Sequence, residues 1–448
     1  MKNNNKSQEA RAEKHKRIEK AALDAYSENK GVIQITGKVR IKSLMDLATY
    51  YTPGVSYPPL KIRANKLLSY KYTGRGNRIA IISNGSRILG LGNIGPEAGL
   101  PVMEGKSLLF KKFGNIDALP LAIHADSVEK IVAFAKAIQS SVGGINLEDI
   151  SSPDCFHAFD RLQKELDIPV FHDDRQGTAV AADAALRNAM KIVDKDVRKA
   201  KIVINGLGAA GVGIGELLLA AGCKNLVMCD TRGILYRGRI DNMNEIKKRL
   251  AEHTNPQGIK GQLSDAVKHA DVLIGASSAN LFKPSHIKSM TEKPIVFALA
   301  NPHPEIEHKA ALDAGAYIVA TGESDVPNQV NNLLAFPGIF RGALDVQARQ
   351  INSAMLLEAS RILAHGVPIH KRKREHIIPN FINEDINSII ANMAAGVAQA
   401  AMKTGVARVK VNPDEVRKNT IDALKRYSKL EKFAAQNSRS RFKIHLFK

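Results

Sequence analysis

The most informative stretch of this chain is KIVINGLGAAGVGIGELLLAAG, residues 201–222. Its apolar opening predicts a strand, its Gly-x-Gly-x-x-Gly string a tight loop, and the remainder a helix. Glycines in such a loop let a bound pyrophosphate approach the backbone at the helix N-terminus. The stretch therefore predicts a dinucleotide site with contacts from Gly206, Gly208, Ala209 and Gly211.

The next predicted strand, NLVMCD, ends at Asp230, where an acid can accept hydrogen bonds from the adenosine ribose hydroxyls. An unpaired acid there favours NAD, because it repels a 2′-phosphate, whereas the nearby Arg232 can accept that phosphate and favours NADP. The sequence leaves this choice open. A second Gly-x-Gly-x-x-Gly string, residues 90–95, is followed by a proline and lacks a suitably placed acid, so it predicts a tight exposed loop.

Three more apolar strands, DVLIGAS, PIVFALANP and AYIVATG, alternate with helical stretches and predict a doubly wound parallel sheet. Alternating strands and helices also precede residue 178, which predicts an α/β fold for the N-terminal half. Ala-rich helices are expected over residues 343–364 and 384–403, and the last 38 residues read as a basic helix with weak core potential.

Turn and breaker residues predict the local structure of the N-terminal half. A polar helix is expected over residues 8–29, and the prolines of YTPGVSYPPL (51–60) are expected to forbid regular structure. RIAIISNGSRILGL (78–91) reads as two strands joined by a turn at Asn84–Gly85. A helix is then expected from Gly99 through Phe113.

Two short acidic clusters follow predicted strands: Glu148–Asp149 in GGINLEDI and Asp173–Asp174 in IPVFHDD. Open α/β sheets place their chemistry at such strand ends. Four carboxylates in one cleft repel each other unless a cation lies between them, and oxygen ligands suit Mg²⁺ or Mn²⁺. Taken singly, each cluster fits a helix N-cap or a surface loop at least as well.

The composition of the 448 residues is that of a globular protein, with 44% hydrophobic and 24% charged residues. The sequence has no apolar run of bilayer length and no signal-peptide pattern, and its three cysteines form no CxxC pair, so we expect a reduced, cytoplasmic protein. Residues 1–20 and 403–448 carry net charges of +4 and +9 out of +21. These basic ends fit either solubility or contact with nucleic acid or an anionic surface.

Together these motifs resemble the short bacterial type of malic enzyme. The resemblance runs from about residue 20 to residue 402 and rests on YTPGV (51–55), GLGNIGPEAGLPVMEGKSLLFKKFGNID (90–117), GGINLEDI (143–150), IPVFHDDRQGTA (168–179), the GLGAAG loop, FALANPHPE (297–305) and PNQVNNLLAFPGIFRGALDV (327–346). It implies the oxidative decarboxylation of malate to pyruvate and CO₂, with NAD or NADP as oxidant and Mg²⁺ or Mn²⁺ as metal.

The resemblance also implies a division of the chain and a partner. The implied domains are a basic extension (1–20), a substrate and metal domain (21–178), a Rossmann-like NAD(P) domain (179–402) and a basic helical tail (403–448). A homodimer is expected, with contacts from the N-terminal region, and no membrane span is expected.

Residue roles follow from the same resemblance. Glu148, Asp149 and Asp174 would bind the metal, and both members of the first pair can reach one ion only if the chain turns there. Lys106 would remove the proton of the malate hydroxyl, and Asp173 would orient it. As a base, Lys106 needs an environment that favours its neutral form.

Other implied roles concern protonation and binding. Tyr51, rather than its neighbour Tyr50, would protonate C3 of enolpyruvate, because it directly precedes the rigid Thr-Pro-Gly turn. Contacts to substrate are expected from Arg87, Asn301 and Asn332, and a contact to the cofactor from Asn331. Taken singly, either tyrosine fits core packing better, and the asparagines fit turn formation, above all Asn301 before Pro302.

Three departures from the short relatives stand out: Arg175–Gln176 after the aspartates, SYPPL after YTPGV, and Glu323 before Ser-Asp. None removes a predicted catalytic group. One alternative is a malolactic enzyme that uses the same site but releases lactate. A second, of another class, is a binding protein whose basic ends dock nucleic acid or membrane.

Overall fold

The computed structural model describes residues 2–88, 90–380 and 384–437, and within these ranges the side chains of residues 13–432. Residues 438–448 of the predicted basic tail lie outside the described residues.

The helices and strands of the first half alternate as the sequence predicts. They are α1 (Lys2–Asn29), α2 (Leu44–Tyr50), α3 (Tyr57–Ala64), α4 (Ser69–Tyr72), β1 (Arg78–Ser83), α5 (Gly95–Gly114), β2 (Asp117–Ala122), α6 (Val128–Ile138), β3 (Gly144–Leu147), α7 (Asp154–Glu165), β4 (Val170–His172), a π-helical turn (Asp173–Gly177) and α8 (Thr178–Ile192).

The second half continues the alternation and ends in helices. Its elements are β5 (Lys201–Asn205), α9 (Ala209–Ala220), β6 (Asn225–Asp230), β7 (Gly233–Ile234), α10 (Glu245–His253), α11 (Leu263–Ala266), β8 (Val272–Gly275), α12 (Pro284–Lys288), β9 (Ile295–Ala298), α13 (His308–Asp313), β10 (Ile318–Thr321), α14 (Phe336–Asp345), α15 (Ser353–His365), α16 (Ile386–Lys403) and α17 (Pro413–Asn437).

The first sheet has the strand order β2-β1-β3-β4, and every pair of neighbours is parallel. Strands β1 and β3 are buried along nearly their whole length, as expected for parallel strands covered on both faces. After β1 the chain adds β2 on one side of it and then β3 and β4 on the other side, so the strand order reverses between β1 and β3. A crevice at the carboxyl ends of these two strands is the expected ligand position.

The second sheet has the order β10-β9-β8-β5-β6-β7 and is parallel except for the short β7, which pairs antiparallel with β6. Its order reverses between β5 and β8, and the GLGAAG loop follows β5 at that point. The predicted doubly wound sheet is therefore present, with one strand more than the five expected from the sequence.

The two sheets are joined through the π-helical turn and α8. Gly213 of α9 packs so closely against the backbone carbonyl of Arg175 that a Cβ at this position would overlap it. Behind the first sheet, Phe110 packs against Phe336 with ring centroids 4.5 Å apart, and Phe171 packs against Phe340 at 5.5 Å. These contacts pack α14 against α5 and β4.

The predicted hairpin at Asn84–Gly85 is wrong. Strand β1 pairs in parallel with β2 and β3, and the chain then turns through an Asn84 side chain that accepts a hydrogen bond from the backbone N–H of Ser86 (3.2 Å). Gly85, at φ +69°, accepts hydrogen bonds from Ile94 and from Gly95, where α5 starts. The turn therefore leads into α5, four residues earlier than predicted, because tertiary pairing overrides the local hairpin signal.

Prolines 58 and 59 also behave differently from the prediction. They lie in the first turn of α3, where a missing backbone N–H breaks no helical hydrogen bond. The helix expected over residues 343–364 is two helices, α14 and α15, separated by residues 346–352. The C-terminal segment has more core than predicted, since Val416, Thr420 and Leu424 of α17 are buried against the preceding helices.

Among the described residues, no helix combines the length and apolar character needed to cross a bilayer.

Gly213→Ala tests the junction between the sheets. A methyl group here meets a backbone carbonyl that cannot move without displacing the aspartate turn. We expect a loss of about 1–3 kcal/mol in unfolding free energy, measured as a lower thermal midpoint by circular dichroism. Gly105→Ala is the control, because its nearest neighbour would be the Tyr26 hydroxyl at 3.5 Å and alanine favours helix by up to about 1 kcal/mol. Equal midpoints for the two variants would contradict the close junction.

Candidate active site

The two acidic clusters meet at the carboxyl edge of the first sheet. Glu148 and Asp149 follow β3, and Asp173 and Asp174 follow β4, its neighbour. Asp149 adopts a left-handed φ of +51°, so the predicted turn between the first two acids is present. The backbone N–H of Asp149 donates to Oδ2 of Asp174 at 3.1 Å, which ties the two clusters together.

Lys106 projects from α5 into this group. Its ammonium donates to Asp173 and lies 2.9 Å from Oε1 of Glu148, while the Phe336 ring centroid lies 4.4 Å away. Only 9% of the side chain is exposed. Burial alone would lower the pKa of Lys106, but Asp173 and Glu148 outweigh it and raise the pKa. In contact with Asp173 and Glu148, Lys106 therefore holds its proton more tightly than a free lysine and is not yet a base.

The acids differ from one another in their environment. Burial, together with repulsion from Asp173, Asp174 and Asp149, raises the pKa of Glu148 well above its ordinary value. Burial likewise raises the pKa of Asp173. For Asp174 burial also acts upward, but hydrogen bonding and charge from His172 lower its pKa. The pKa is therefore raised at the two acids that contact Lys106, and lowered at Asp174.

The donor set fits a hard divalent cation by its chemistry and charge. Four carboxylates face one ammonium, so the cluster has an excess of negative charge that a cation would offset. The side chains do not converge in the structure: no group of three or more acids, histidines or cysteines among the described residues is arranged to bind a metal. Glu148 and Asp173 instead contact Lys106, and Asp174 accepts the backbone N–H of Asp149.

Two buried polar residues beside the acids were not predicted. Asn146, inside β3, donates to Oε2 of Glu148 at 2.8 Å. His172, fully buried at the end of β4, has Nε2 3.5 Å from Oδ2 of Asp174. Each residue lies at or near the end of a strand, two positions before the acid that it contacts, so this spacing was the available signal.

Arg175 also has a role that the sequence did not reveal. Its guanidinium forms a bidentate pair with Glu216 of α9 (Nε to Oε2 at 2.9 Å and Nη2 to Oε1 at 2.7 Å), and its Cζ lies 5.3 and 5.1 Å from the ring centroids of Phe156 and Phe159. Only 6% of its side chain is exposed. This pair connects the aspartate turn to the helix that follows the GLGAAG loop, and Arg175 had been noted only as a departure from the short relatives.

The GLGAAG loop has the expected strand–loop–helix geometry. Gly206 has φ +113° and lies against the backbone of Ala276, and Gly211 lies against the carbonyl of Gly206, so neither position has room for a Cβ. Gly208 is the N-cap of α9, which begins at Ala209. The predicted contacts are thus gathered at a helix N-terminus that is free of a side-chain cap.

Asp230 ends β6 beside this loop, since the N–H of Gly206 donates to the carbonyl of Cys229 (2.9 Å). Its carboxylate accepts five hydrogen bonds, from Arg232 N, Asn242 Nδ2, Lys247 Nζ and two nitrogens of Arg239. Burial would raise the pKa of Asp230, but the bonds from Arg239 and Lys247 lower it. A carboxylate has about four lone-pair sites, so the structure argues against the ribose contact predicted for Asp230.

Arg87 and Asn332 lie beside the residues of the candidate site. The Arg87 guanidinium is 3.8 Å from the position of a Cβ on Gly208, and its backbone N–H donates to the carbonyl of Asp149. Arg87 therefore borders both the acidic clusters and the GLGAAG loop. Asn332 packs at 3.1 Å against the Cβ position of Gly177, beside the aspartate turn.

Asn331 and Asn301 have local partners. The Asn331 side chain accepts the N–H of Leu333 and caps a short 3₁₀ turn, while the Asn301 carboxamide lies 2.8 Å from the Cβ position of Gly322. Tyr51 is not brought to the acids: its side chain is 70% exposed and makes no hydrogen bond among the described residues. Of the predicted catalytic groups, the chain thus assembles Lys106 and Asp173 but leaves Tyr51 on its surface.

Comparison with protein-family models finds two adjacent matches, the malic enzyme N-terminal domain over residues 29–163 and the malic enzyme NAD-binding domain over residues 175–402. The chain belongs to the malic enzyme family. The sequence-based resemblance is therefore confirmed, together with the two-domain α/β fold and its Rossmann-like NAD(P) domain.

Malic enzymes among curated proteins are similar over most of this chain. The bifunctional malic/malolactic enzyme of Bacillus subtilis is 45% identical over 90% of this chain and 98% of its own length. The NAD-dependent malic enzyme of Geobacillus stearothermophilus is 45% identical over 84% and 78%. The chain spans about half of the NADP-dependent malic enzyme of Escherichia coli, at 40% identity over 87% of this chain and 53% of that protein.

Solved malic enzymes have the same fold. The enzyme from Pyrococcus horikoshii superposes with a TM-score of 0.86 at 45% identity, covering 91% of this chain and 96% of that one. The enzyme from Entamoeba histolytica gives a TM-score of 0.90 at 40% identity, covering 96% and 91%.

Glu148→Gln tests the charge excess of the malic enzyme cluster. Because the pKa of Glu148 is raised, the folded metal-free protein binds more protons than the unfolded chain, and its stability falls as pH rises through that pKa. In EDTA near pH 8 we expect the variant to be more heat-stable than the wild type. Mn²⁺ should raise the thermal midpoint of the wild type and raise that of the variant much less.

Glu129→Gln is the matched control, since its carboxylate is 76% exposed and lies on α6. It should keep both the wild-type midpoint and the wild-type response to Mn²⁺. A Glu148→Gln protein with an unchanged response to Mn²⁺ would contradict the assignment of Glu148 as a ligand.

Proposed function

We propose that this chain catalyses the oxidative decarboxylation of malate to pyruvate and CO₂ with reduction of NAD or NADP. One observation carries the proposal: Lys106, bonded to Asp173 and Glu148, lies at a carboxyl edge that the close contact of Gly213 with Arg175 joins to the nucleotide loop. A hydroxy acid and a nicotinamide can therefore meet at one crevice. The carbon–hydrogen bond at C2 would break, and hydride would pass to the nicotinamide.

Glu148, Asp149 and Asp174 are the residues that would hold a divalent metal, Mg²⁺ or Mn²⁺. When bound, such an ion supplies Lewis acidity toward the oxygen atoms of the substrate. Asp173 is the carboxylate that would stay in contact with Lys106 when Glu148 serves as a metal ligand. One fewer negative neighbour would favour the neutral amine that a base requires. Lys106 then accepts the hydroxyl proton of malate, while Asp173 keeps its Nζ oriented.

We assign the remaining contacts to one arginine and three asparagines. Arg87 borders both loops and can hold a malate carboxylate through paired hydrogen bonds. Asn301 and Asn332 would contact substrate, and Asn331 would contact the cofactor. Amide side chains add donors and acceptors there without adding charge to a cluster that already holds four acids.

The active unit that we propose is a homodimer. Fifteen of the 22 exposed large apolar side chains among the described residues lie between Ile18 and Tyr72, a concentration that marks an interaction surface. Tyr51 belongs to this segment. A catalytic acid must contact its substrate, and within one chain Tyr51 lies exposed. Burial of this segment against a second chain would place Tyr51 at a substrate.

The domain division proposed from the sequence places its boundary at residue 178. The described structure has a sheet on each side of this residue, and α8 runs directly from the aspartate turn of one sheet toward β5 of the other. Because α8 connects the two sheets, its beginning is a natural position for the proposed boundary between the two domains.

A malolactic reaction, which releases lactate without net reduction of the cofactor, is the second candidate. Its support is the 45% identity to a bifunctional malic/malolactic enzyme. Both reactions need the same proton and hydride transfers at C2 of malate, so the residues of the site do not distinguish them.

The identity of the product tests the reaction directly. With malate, Mn²⁺ and either NAD or NADP, we expect absorbance at 340 nm to rise in step with pyruvate. Initial rates with each dinucleotide give its relative use. Lactate formation without a rise at 340 nm would overturn oxidative decarboxylation in favour of the malolactic reaction.

Substitutions at Lys106 and Tyr51 test the two proton transfers. Lys106→Ala should lower both malate oxidation and oxaloacetate decarboxylation by about 10²–10⁴-fold, since each needs a group that exchanges a proton at this position. Tyr51→Phe should keep the release of CO₂ from oxaloacetate but slow the protonation of enolpyruvate. The rate of protonation is measured as the incorporation of deuterium from the solvent at C3. Tyr50→Phe is the matched control and should behave as wild type.

Mixing the two impaired variants tests the dimer. After denaturation and refolding together, Lys106→Ala and Tyr51→Phe chains should recover activity if the Tyr51 of one chain acts at the Lys106 of its partner. Sedimentation should show a dimer. A monomeric, fully active wild type would rule out this arrangement.

A further inference from the structure

The corner of the nucleotide site around Asp230 is a closed ion-pair network. Arg239 and Lys247 both bond to its carboxylate, and their side chains are only 4% and 11% exposed. The same arginine also donates to the backbone carbonyls of Gly233 and Ile234. These bonds hold the segment after β6 against α10, so Asp230 acts as an anchor for the segment.

This network limits how the residues around Asp230 can recognise a dinucleotide. NAD is usually recognised by a carboxylate that accepts the ribose 2′-hydroxyl, and this needs free lone pairs. Asp230 has none to offer, because five donors already occupy its two oxygen atoms. The repulsion that an unpaired acid would exert on a 2′-phosphate is also offset, since two buried cations neutralise Asp230.

Arg232 is the cation available at this position. Its backbone N–H is bound to Oδ1 of Asp230 at 2.8 Å, so its place two residues beyond the strand end is fixed. Its guanidinium is 64% exposed and lies 3.5 Å from Asp241, itself 70% exposed. Such an exposed pair contributes at most about 1 kcal/mol and is readily exchanged for a dianionic phosphate.

We infer that Arg232 binds the adenosine 2′-phosphate and that the chain prefers NADP to NAD. The segment from residue 230 to residue 248 has five basic and three acidic residues, which gives this corner the sign that a phosphate requires. The inference rests on the proposed function, because it requires the dinucleotide to bind at the GLGAAG loop.

The other arginine on this segment provides a matched control. Arg237 is 73% exposed and carries the same charge, but its Nε lies 2.8 Å from Glu252 at the end of α10. Removal of Arg237 therefore lowers the net charge of the segment from residue 230 to residue 248 by one, as removal of Arg232 does. A difference between the two variants then reports the specific position and not the general positive field.

Isothermal titration calorimetry with 2′,5′-ADP and 5′-AMP tests the inference without any turnover. We expect the wild type to bind 2′,5′-ADP at least about tenfold more tightly than 5′-AMP, an advantage that weakens at high salt. Arg232→Ala should reduce this ratio to about one while leaving the affinity for 5′-AMP unchanged. Arg237→Ala should keep most of the wild-type ratio.

Equal affinity of the wild type for the two nucleotides, or equal losses in the two variants, would overturn the role of Arg232 and leave the nucleotide site intact. Failure of both nucleotides to bind would instead overturn the nucleotide site itself, and the assignment of Arg232 with it.

Discussion

The imbalance of charge at the carboxyl edge of the first sheet governs the candidate active site. Four carboxylates face the single ammonium of Lys106, and two of them are held by that ammonium. Burial makes an uncompensated charge costly, and the packing of Phe110 and Phe171 against α14 holds α5 and β4 in place. A site under such strain is well suited to a cation, since binding relieves the repulsion that folding imposes.

The same edge is connected to the nucleotide loop by direct contact of backbone with backbone. The absence of a side chain at Gly213 lets α9 approach the aspartate turn, and the bidentate pair of Arg175 with Glu216 holds the two together. Hydride transfer requires a substrate carbon and a nicotinamide within contact distance. The junction therefore provides the rigid reference that a reaction shared between two domains needs.

Sequence reasoning located most of the elements and the acidic clusters because strand ends, glycine loops and acids have strong local signatures. It failed where a local signal competed with a distant partner. The Asn84–Gly85 pair has the composition of a hairpin turn, but β2 and β3 supply better parallel partners for β1. Asp230 matched the pattern of a ribose acceptor, while its actual partners, Arg239 and Lys247, lie 9 and 17 residues further along the chain.

The sequence by itself determined the family, the two α/β units, and the acids, lysine and glycines of the candidate site, because each belongs to a short motif with a fixed spacing. Only the tertiary structure decided which of these residues are in contact and in which direction their neighbours shift the pKa of Lys106, Glu148, Asp173 and Asp174. It assembled Lys106 with Glu148 and Asp173, saturated Asp230, and left Tyr51 exposed. The reason is physical: lone pairs, burial and electrostatic repulsion depend on neighbours in space, and spacing along the chain does not specify them.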